Sequence, residues 1–332
     1  MSSRPRSDGT PSAAARRLAP CFGFDADRLE NLGAFESEVL AADGVAGPAI
    51  LKVIDPTHRM PHEVLAEIDW LLALRDAGIP AARPLPACDG AWLALYGEPP
   101  TIAVAYERAP GRHLPPAAWT PEFFRAHGAL VGRLQAHTRG WIAPGPRRRG
   151  WLDAHSLAQA SDALPDDADF LEAVAEVVER VVATVPQAPA DLGLLHADLH
   201  PWNLLVDDAG RLTAIDFDDA VVGPYLYDLA IPLYYAVAMR PDQDPAEAAD
   251  AFLGSYLAGF DAVAPRPTGG ADAVAAILAM RQADLAIFLR LSVPEEDWDD
   301  GLRAAALRLR DRTAARHELV PRAVLRAHFG DG

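Results

Sequence analysis

The sequence of 332 residues contains almost no lysine and almost no cysteine. Of its 30 basic residues 29 are arginine, so Lys52 is the only lysine, and Cys21 and Cys88 are the only cysteines. Two cysteines are too few for a disulfide framework or a cysteine-rich zinc site, and their number is typical of a reducing compartment. We therefore predict a cytoplasmic protein.

The sequence also lacks an excess of positive charge and any long apolar run. Aspartate and glutamate number 47 against 30 basic residues, which gives a formal net charge of -17 at pH 7. Such a surface repels nucleic acid and anionic membranes, and no run of eighteen apolar residues is present that could cross a bilayer. Nucleic acid and membrane partners are therefore not expected, and a polyanionic ligand would have to be held by local groups.

About half of the residues are apolar, which is enough for one large domain or two lobes. Residues 1–19 lack an apolar core and are predicted to form a disordered tail. Two β-type runs around a turn-forming DGVAG in residues 33–54 predict an antiparallel hairpin. Apolar residues at helical spacing then predict a helix within residues 59–80, and short strands lead to a lobe boundary near residues 107–112.

Beyond this boundary the apolar spacing becomes helical. Helices are predicted over residues 121–138, 167–185, 225–239, 245–260, 270–291 and 300–316. Residues 203–216 are the exception, because they predict a second tight hairpin. The predicted architecture is α+β, with a small antiparallel β-rich N-terminal lobe that has one helix, a hinge, and a larger, mainly helical C-terminal lobe. Ligands commonly bind in the cleft between two such lobes.

One short segment carries most of the chemical information. His196, Asp198 and Asn203 in HADLHPWN match H-x-D-L-x-x-x-N, in which the aspartate is a catalytic base and the asparagine binds metal. After the predicted hairpin, AIDFDD places Asp216 where the metal-binding aspartate of a kinase follows its strand, and such oxygen ligands suit Mg²⁺. Each residue alone is more typical of a turn or a strand end. As a spaced set, however, they indicate phosphoryl transfer from a nucleotide.

Lys52 fits the same chemistry. The surrounding AILKV resembles the V-A-I-K strand, whose lysine pairs with the α- and β-phosphates and with a glutamate on a helix. A compact ammonium is retained here in a chain that otherwise uses the planar guanidinium of arginine. We expect the partner to be Glu67 in the middle of the predicted helix, with Glu63 one turn earlier as the alternative.

These segments together resemble the aminoglycoside phosphotransferase and choline kinase-like family, small-molecule relatives of the protein kinases that include homoserine kinase type II and stress-response kinases. The resemblance covers residues 20–260. It implies a bilobal, protein-kinase-like fold with ATP and Mg²⁺ as cofactors. Residues 20–107 would form the nucleotide-binding lobe with the hinge, and residues 108–332 the catalytic and acceptor-binding lobe.

The resemblance also implies a role for each matching residue. Asp198 would be the catalytic base, and Asn203 and Asp216 would be the Mg²⁺ ligands. Lys52, held by Glu67, would bind the nucleotide phosphates.

Further roles follow for the residues around these. The backbone of Tyr106, Glu107 and Arg108 in the hinge would form hydrogen bonds with adenine. Asp228 would be structural and would fix the backbone of the catalytic loop, with His196 as a supporting residue.

Two features depart from the family pattern. The turn that would cover the phosphates, NLGAFES, has Gly33 as its single glycine, so backbone coverage of the phosphates is less complete than in a G-x-G-x-x-G loop. Ala197 stands where protein kinases have the arginine that engages a phosphorylated activation loop, and only FDDAVV separates Asp216 from Gly223 and Pro224. We therefore predict a constitutively assembled site and a small-molecule acceptor.

Several residues near the motif leave alternatives open. His200, with His196 and Asp198, offers three potential zinc ligands, although a histidine that braces the loop by hydrogen bonds is favoured. Asp218 could contact a second Mg²⁺ or the acceptor, and a solvated turn residue is the simpler interpretation. The arginines at 147–149 could grip phosphate, and a solvated loop is favoured.

An acidic stretch bears on the acceptor. Between Asp153 and Arg180 there are eight acidic residues and one basic residue, which would attract an acceptor that carries a cation.

The sequence thus predicts an ATP- and Mg²⁺-dependent phosphotransferase acting on a hydroxyl group of a small molecule. Candidate acceptors are an aminoglycoside-like antibiotic, an amino alcohol and a homoserine-type metabolite. The alternatives are a protein Ser/Thr kinase of the stress-response type, a catalytically idle nucleotide-binding module and, more remotely, a zinc hydrolase.

Overall fold

The N-terminal part of the chain forms an antiparallel sheet. The computed structural model describes residues 10–33, 37–45, 47–139, 141, 148–153, 156–293 and 298–331. The strands of this sheet are β1 (Glu30–Asn31), β2 (Ser37–Gly44), β3 (Gly47–Ile54), β4 (Pro84–Leu85), β5 (Ala94–Tyr96) and β6 (Thr101–Glu107). Their order is β1-β2-β3-β6-β4, with β5 also paired to β6, and every pair is antiparallel. The predicted hairpin in residues 33–54 is confirmed as β2 and β3.

Two helices accompany the sheet, α1 (Ala13–Leu18) and α2 (Pro61–Asp76). The α2 helix confirms the prediction for residues 59–80, whereas α1 was not predicted. The Ser12 side chain caps α1, and the Ser12 N–H donates a hydrogen bond of 2.7 Å to Glu38. Ala15 and Leu18 are buried, so apolar contacts offset the entropy lost on ordering this segment. The predicted disordered tail was therefore wrong for residues 12–19, and residues 1–9 lie outside the described residues.

The alternation of side chains along β3 determines which residues share a face of the sheet. Leu51 and Val53 join the apolar cluster that also contains Leu18 of α1. Lys52, between them, therefore lies on the opposite face. It is in register with Val104 of β6, so Tyr106, two residues further along β6, lies on the same face as Lys52.

The later part of the chain is mainly helical. Its helices are α3 (Pro121–Thr138), α4 (Ala160–Ala163), α5 (Ala168–Thr184), α6 (Tyr227–Ala238), α7 (Pro245–Asp261), α8 (Ala271–Ser292), α9 (Asp300–Ala314) and α10 (Arg322–Phe329). The six predicted helices are confirmed, with ends that differ by at most two residues. The short α4 and α10 were not predicted. None of the described helices is both long enough and apolar enough to cross a membrane.

Short strands interrupt these helices. They are β7 (Leu192–Leu195), β8 (Leu204–Val206), β9 (Leu212–Ala214) and β10 (Val221–Pro224). β7 pairs with β10 in antiparallel register. The turn after β8 is closed by the Asp207 N–H, which donates to the Arg211 carbonyl at 3.1 Å, as expected for the predicted second hairpin. Single 3-10 turns cover Ala19–Phe22, Pro116–Ala118, Trp151–Asp153, Ser156–Gln159, Pro189–Asp191 and Pro201–Asn203.

The described residues divide into two compact units. The first is drawn from Met1–Gly111, Ile142–Arg148 and Thr213–Asp218, and the second from Arg112–Trp141, Arg149–Leu212 and Asp219–Gly332. The segment 213–218 joins the first unit through Ala214, whose carbonyl accepts from the Ala82 N–H and whose N–H donates to the Pro80 carbonyl. The sequence prediction had assigned this segment to residues 108–332. Asp216 and Asp218 are thereby brought to the unit that contains Lys52.

Within the second unit, α3 and α7 approach closely at two glycines. A Cβ at Gly128 of α3 would lie 1.8 Å from the Tyr256 carbonyl oxygen, and a Cβ at Gly259 of α7 would lie 1.9 Å from the Arg125 carbonyl oxygen. Both distances are far below van der Waals contact. The two helices therefore pack backbone against backbone at positions that only glycine can occupy.

Candidate functional site

Lys52 lies in a buried charge cluster of the first unit. Its Nζ is 2.7 Å from Asp216 Oδ1 and 2.5 Å from Asp218 Oδ2, and the residue is only 7% exposed. Burial alone would lower the pKa of Lys52, but the charges of Asp216 and Asp218 outweigh it and raise the pKa above its ordinary value. The ammonium therefore stays charged in a site with little water.

The predicted pairing of Lys52 with Glu67 was wrong. Glu67 Oε2 accepts from Arg59 Nη1 at 2.9 Å, and Glu67 Oε1 accepts from the Tyr106 hydroxyl at 2.8 Å. A carboxylate that is 2% exposed requires such partners, and Arg59 satisfies it directly. Glu67 acts on Lys52 through its charge, which helps to raise the pKa of Lys52.

The alternative partner, Glu63, has a different role. Its Oε2 accepts from the Met60 N–H at 3.0 Å, which caps the first turn of α2. Sequence reasoning missed Arg59 because it lies just before α2, outside any motif, and only the fold brings it to Glu67.

Asp218 is the residue that joins the two cations of this cluster. Its Oδ1 is 3.1 Å from Arg59 Nη1, while its Oδ2 pairs with Lys52. Burial would raise the pKa of Asp218, but Arg59 and Lys52 outweigh it and hold the pKa well below its ordinary value. The interpretation of Asp218 as a solvated turn residue was therefore wrong.

Arg148 also belongs to this cluster, through backbone contacts. It is buried and donates to the Glu63 carbonyl at 2.9 Å and to the Asp218 carbonyl. The interpretation of 147–149 as a solvated loop was wrong for Arg148, whose side chain supports the segment that carries Asp218. Arg149 is exposed, and residue 147 lies outside the described residues.

Asp216 has a strained backbone and an accessible carboxylate. Its φ is +62°, in the left-handed region that non-glycine residues seldom adopt, and such strain concentrates at functional sites. Its side chain is 48% exposed. The next residue, Phe217, is buried with its ring centroid 5.1 Å from that of Trp70 of α2. This contact anchors the segment and leaves Asp216 able to bind a ligand.

The predicted hinge has its amide donors engaged. The Glu107 N–H donates to the Arg83 carbonyl at 2.8 Å, and the Arg108 N–H donates to the Pro48 carbonyl at 3.0 Å. The Tyr106 side chain is directed to Glu67 rather than to the surface. The adenine contact predicted for this segment would therefore have to use groups other than these two N–H donors, and it stays a prediction.

The predicted phosphate-covering turn is described only at its ends. Gly33 has a φ of +75°, and its N–H donates to Asn31 Oδ1 at 2.8 Å, which begins a tight turn. Residues 34–36 of NLGAFES lie outside the described residues. The role of Gly33 at the nucleotide stays a prediction.

In the second unit, the Asp198 carboxylate is held on both oxygens. Oδ1 is 2.5 Å from Arg281 Nη2, and Oδ2 is 3.3 Å from both His200 Nε2 and Asn203 Nδ2. Burial would raise the pKa of Asp198, but Arg281 and His200 lower it to about 2. Asp198 is therefore a carboxylate throughout the physiological range. Asn203 Nδ2 also donates to the Asp198 carbonyl at 2.9 Å.

The backbone around Asp198 is fixed by Asp228 of α6. Asp228 accepts from the His196 N–H at 3.1 Å and from the Ala197 N–H at 2.8 Å. Ala197 has a φ of +66°, so the loop is held in a conformation that it would not favour alone. Burial raises the pKa of Asp228. These contacts correspond to the loop-fixing role that the resemblance implies for Asp228.

Histidines brace the same loop. His200 Nδ1 accepts from the Trp202 N–H at 3.1 Å, and the ring of His200 lies 4.2 Å from that of Tyr235. His196 is fully buried, and its Nδ1 accepts from the Asp198 N–H at 3.4 Å. Among the described residues, no three His, Cys, Asp or Glu side chains are grouped so as to hold a metal ion. The contacts of His200 agree with the favoured interpretation of this residue as a loop brace.

One further histidine was missed in the sequence. His127 of α3 donates from Nε2 to the Leu199 carbonyl at 2.9 Å. Burial lowers the pKa of His127 to about 3, so the ring is neutral and holds the loop only by hydrogen bonding. A histidine on an apolar helix face gave no signal of this contact.

Arg281 of α8 was also missed. Besides Asp198, its Nη2 contacts the Tyr235 hydroxyl at 2.6 Å, and its Nη1 lies 3.4 Å from Asp284 Oδ2. The available signal was an arginine in the otherwise apolar run AILAMRQADLAIF, because a charge inside a buried helix must have a partner.

The acidic stretch from Asp153 to Arg180 is partly neutralised. Arg316 pairs with Glu176 at 2.8 Å and with Glu172 at 3.1 Å. Arg310 pairs with Asp167 at 2.5 Å. The attraction of a cationic acceptor to this stretch stays a prediction that depends on the remaining acids.

Comparison with known proteins adds to this geometry. A family model described as the phosphotransferase enzyme family matches residues 30–267. The amicoumacin kinase of Bacillus subtilis strain 168 is 27% identical over 255 residues, which cover 75% of this chain and 74% of that protein. The homoserine kinase of Pseudomonas aeruginosa strain LESB58 is 34% identical over 174 residues, which cover 50% of this chain and 51% of that protein.

Solved structures share the fold. An amicoumacin kinase in complex with AMP-PNP, Ca²⁺ and Ami superposes with a TM-score of 0.83 at 24% identity, covering 91% of this chain and 92% of that chain. A microcompartment-associated aminopropanol kinase superposes with a TM-score of 0.74 at 22% identity, covering 91% of this chain and 94% of that chain. The predicted α+β, protein-kinase-like fold is confirmed by these likenesses.

Proposed function

Because the chain belongs to the phosphotransferase enzyme family, we propose that it transfers the γ-phosphoryl group of ATP to a hydroxyl group of a small molecule, with Mg²⁺ as cofactor. The family match agrees with the resemblance inferred from the sequence. The observation that carries the proposal is the contact of Lys52 with Asp216, 164 residues apart in sequence. These are the two residues expected to face the nucleotide phosphates and the metal.

The residues present fit a Mg²⁺ ion. Mg²⁺ prefers a small number of protein oxygens together with substrate phosphates, and Asp216 offers a half-exposed carboxylate. Asn203 directs its Nδ2 to Asp198, so its amide oxygen is the atom suited to a metal. When bound, Mg²⁺ would neutralise charge that develops on the β- and γ-phosphates.

Lys52 would hold the nucleotide phosphates. Its ammonium is buried and stays protonated because Asp216 and Asp218 surround it. Arg59 and Arg148 hold the segment that carries Asp218, so the Lys52 position is defined before a nucleotide arrives. Such preorganisation reduces the reorganisation needed in the transition state.

Asp198 would orient the acceptor hydroxyl. With a pKa lowered to about 2, it is a weak base, so it would accept a hydrogen bond first and the proton only late in the transfer. Phosphoryl transfer through a loose transition state makes little demand on base strength. Positioning by Asp198, rather than deprotonation, would therefore provide most of its contribution.

The acceptor we propose is a small molecule that has both a hydroxyl and an amino group. Similar proteins are an aminopropanol kinase, a homoserine kinase and amicoumacin kinases, and aminopropanol and homoserine both carry these two groups. The excess of acid in this chain and in the stretch from Asp153 to Arg180 supports an acceptor with a cation.

The test is coupled ADP release with Mg-ATP and a panel of amicoumacin, aminopropanol, ethanolamine, homoserine and an aminoglycoside. We expect one acceptor to stimulate ADP release, its phosphorylated product to be detected by mass spectrometry, and Asp198→Asn to abolish turnover while Mg-ATP still raises the melting temperature. A melting shift without turnover on any acceptor would favour the idle nucleotide-binding module. Absence of both the shift and turnover would contradict the proposal.

A further inference from the structure

The two cysteines of the chain lie side by side in the first unit. Cys21 is in the 3-10 turn Ala19–Phe22, and Cys88 is in the loop between β4 and β5, 67 positions later in the sequence. The Cys88 N–H donates a hydrogen bond of 2.8 Å to the Cys21 carbonyl. Both residues are free thiols and both are exposed, so a reagent in solution can reach either of them.

This hydrogen bond limits the distance between the two backbones. A carbonyl oxygen lies about 2.4 Å from its own Cα, and an amide nitrogen lies about 1.5 Å from its own Cα. The Cα atoms of Cys21 and Cys88 are therefore at most about 6.7 Å apart. Disulfide bonds join residues whose Cα atoms are about 4.4–6.8 Å apart. The backbone spacing thus permits a disulfide bond without movement of either segment.

The Cys88 thiol is directed toward the turn that carries Cys21. Its Sγ lies 3.5 Å from the position that a Cβ on Gly23 would occupy. Gly23 closes this turn, since its N–H donates to the Pro20 carbonyl at 3.0 Å and its φ is +74°. The sulfur of Cys88 therefore lies beside the segment that contains the other cysteine.

Buried neighbours hold both segments in place. Cys21 lies between Ala19 and Phe22, which are buried. Cys88 follows Ala87, which belongs to the same apolar cluster as these two residues. Folding therefore brings the two thiols together before any bond forms, and the entropy of closing the long loop between them is lost on folding rather than on oxidation.

We propose that Cys21 and Cys88 are a modification site, which a low-molecular-weight disulfide converts to an intramolecular disulfide bond. One thiolate attacks the reagent, which forms a mixed disulfide and releases one small thiol. The second thiolate attacks the protein sulfur of the mixed disulfide, which forms the Cys21–Cys88 bond and releases the second small thiol. The chain loses two protons and two electrons, and the reagent is reduced to two thiols.

The bond does not involve the proposed nucleotide site. The apolar cluster beside the two cysteines contains Leu51 and Val53, which lie on the face of the sheet opposite Lys52. Oxidation would therefore tie the segment that carries α1 to the loop after β4, and Lys52 would keep its partners. The proposal is thus independent of phosphoryl transfer and of the acceptor.

The experiment is a redox titration of the full chain in mixtures of reduced and oxidised glutathione, both in native buffer and in urea. After an acid quench, free thiols are alkylated with N-ethylmaleimide. Intact mass then gives the fractions of dithiol, mixed disulfide and internal disulfide at each ratio. Peptide mapping without reductant identifies the linked cysteines.

We expect a monomeric product in which Cys21 is linked to Cys88. The equilibrium constant for this bond should be at least about tenfold larger in native buffer than in urea, because the unfolded chain must first close the loop. The matched variants Cys21→Ser and Cys88→Ser change exposed side chains and should fold. Each should stop at one glutathione per chain, because no second thiol is present to displace it.

Three results would overturn the proposal. The first is glutathione on both cysteines of the unaltered chain with no internal bond. The second is a disulfide-linked dimer as the main product. The third is an equal equilibrium constant in native buffer and in urea, which would show that the fold does not hold the two thiols together. None of these results depends on the outcome of the ADP-release assay.

Discussion

Arg281 of α8 holds the carboxylate of Asp198, with Nη2 2.5 Å from Oδ1 and the same nitrogen 2.6 Å from the Tyr235 hydroxyl. Both charged side chains are largely buried. Burial would raise the pKa of Asp198, and Arg281 is the largest opposing influence, which brings the pKa down to about 2. Arg281 therefore determines both the charge state and the orientation of the proposed catalytic residue.

We predict that Arg281→Met moves an acidic ionisation into the measurable range. A protonated Asp198 is a weaker hydrogen-bond acceptor and can no longer take the proton of the acceptor hydroxyl, and without Arg281 its pKa would rise from about 2. The acid limb of kcat/KM should therefore appear at a pH at least about one unit higher than in the unaltered enzyme, and kcat should fall by about tenfold or more because Asp198 loses its orienting partner. The measurement is a pH–rate profile with ADP release, in which Arg281→Lys should recover part of the loss. An unchanged acid limb in Arg281→Met would show that Arg281 does not control the ionisation of Asp198.

Lys52 gives a prediction about the nucleotide. Lys52→Arg should raise the KM for Mg-ATP by about tenfold or more, because a planar guanidinium does not fit the compact buried position between Asp216 and Asp218. Initial rates over a range of Mg-ATP concentrations provide the measurement. Arg28→Lys is the control. Arg28 forms an exposed ion pair with Asp43, so its replacement should leave the KM for Mg-ATP unchanged. Equal KM values for Mg-ATP in Lys52→Arg and the unaltered enzyme would show that Lys52 does not bind the nucleotide phosphates.

Glu67 is predicted to serve stability more than nucleotide binding. In Glu67→Gln, Arg59 loses one carboxylate in a buried site, which should lower the free energy of unfolding by about 2–4 kcal/mol. The KM for Mg-ATP should change by less than about threefold, because Lys52 keeps both of its aspartate partners. Urea unfolding and Mg-ATP kinetics on the same variant distinguish the two effects. If Glu67→Gln raised the KM for Mg-ATP as much as Lys52→Arg does, the result would favour a direct pairing of Lys52 with Glu67.

Local patterns predicted most of the elements and the central motif. β-type runs around the DGVAG turn marked β2 and β3, and helical spacing marked the six predicted helices beyond residue 120 to within two residues. The residues Asp198, Asn203 and Asp216 were predicted as site residues because their chemistry is carried by a short spacing. Such features depend on neighbours in sequence, so a sequence alone contains them.

The contacts that were mispredicted depend on the fold rather than on a local sequence pattern. One cluster contains Arg59, Arg148 and Asp218 because residues 213–218 belong to the first unit. No periodic pattern in the sequence predicts this. Glu67 was assigned to Lys52 by family resemblance, whereas Arg59, eight residues away from Glu67, satisfies it. The helix α1 was missed because its stability comes from burial of Ala15 and Leu18 against the sheet, and not from a pattern within the segment.

The packing of α3 on α7 gives a prediction with a matched control on the same helix pair. Gly128→Ala should lower the free energy of unfolding by about 3 kcal/mol or more, because its Cβ would lie 1.8 Å from the Tyr256 carbonyl oxygen and the helices would have to separate. Gly254→Ala, on the exposed side of α7 with no atom within 4 Å of its Cβ, should instead raise it by about 0.5–1 kcal/mol, since alanine is the better helix former. Urea midpoints of the two variants measure the difference. Similar stability of the two variants would show that α3 and α7 do not pack backbone against backbone.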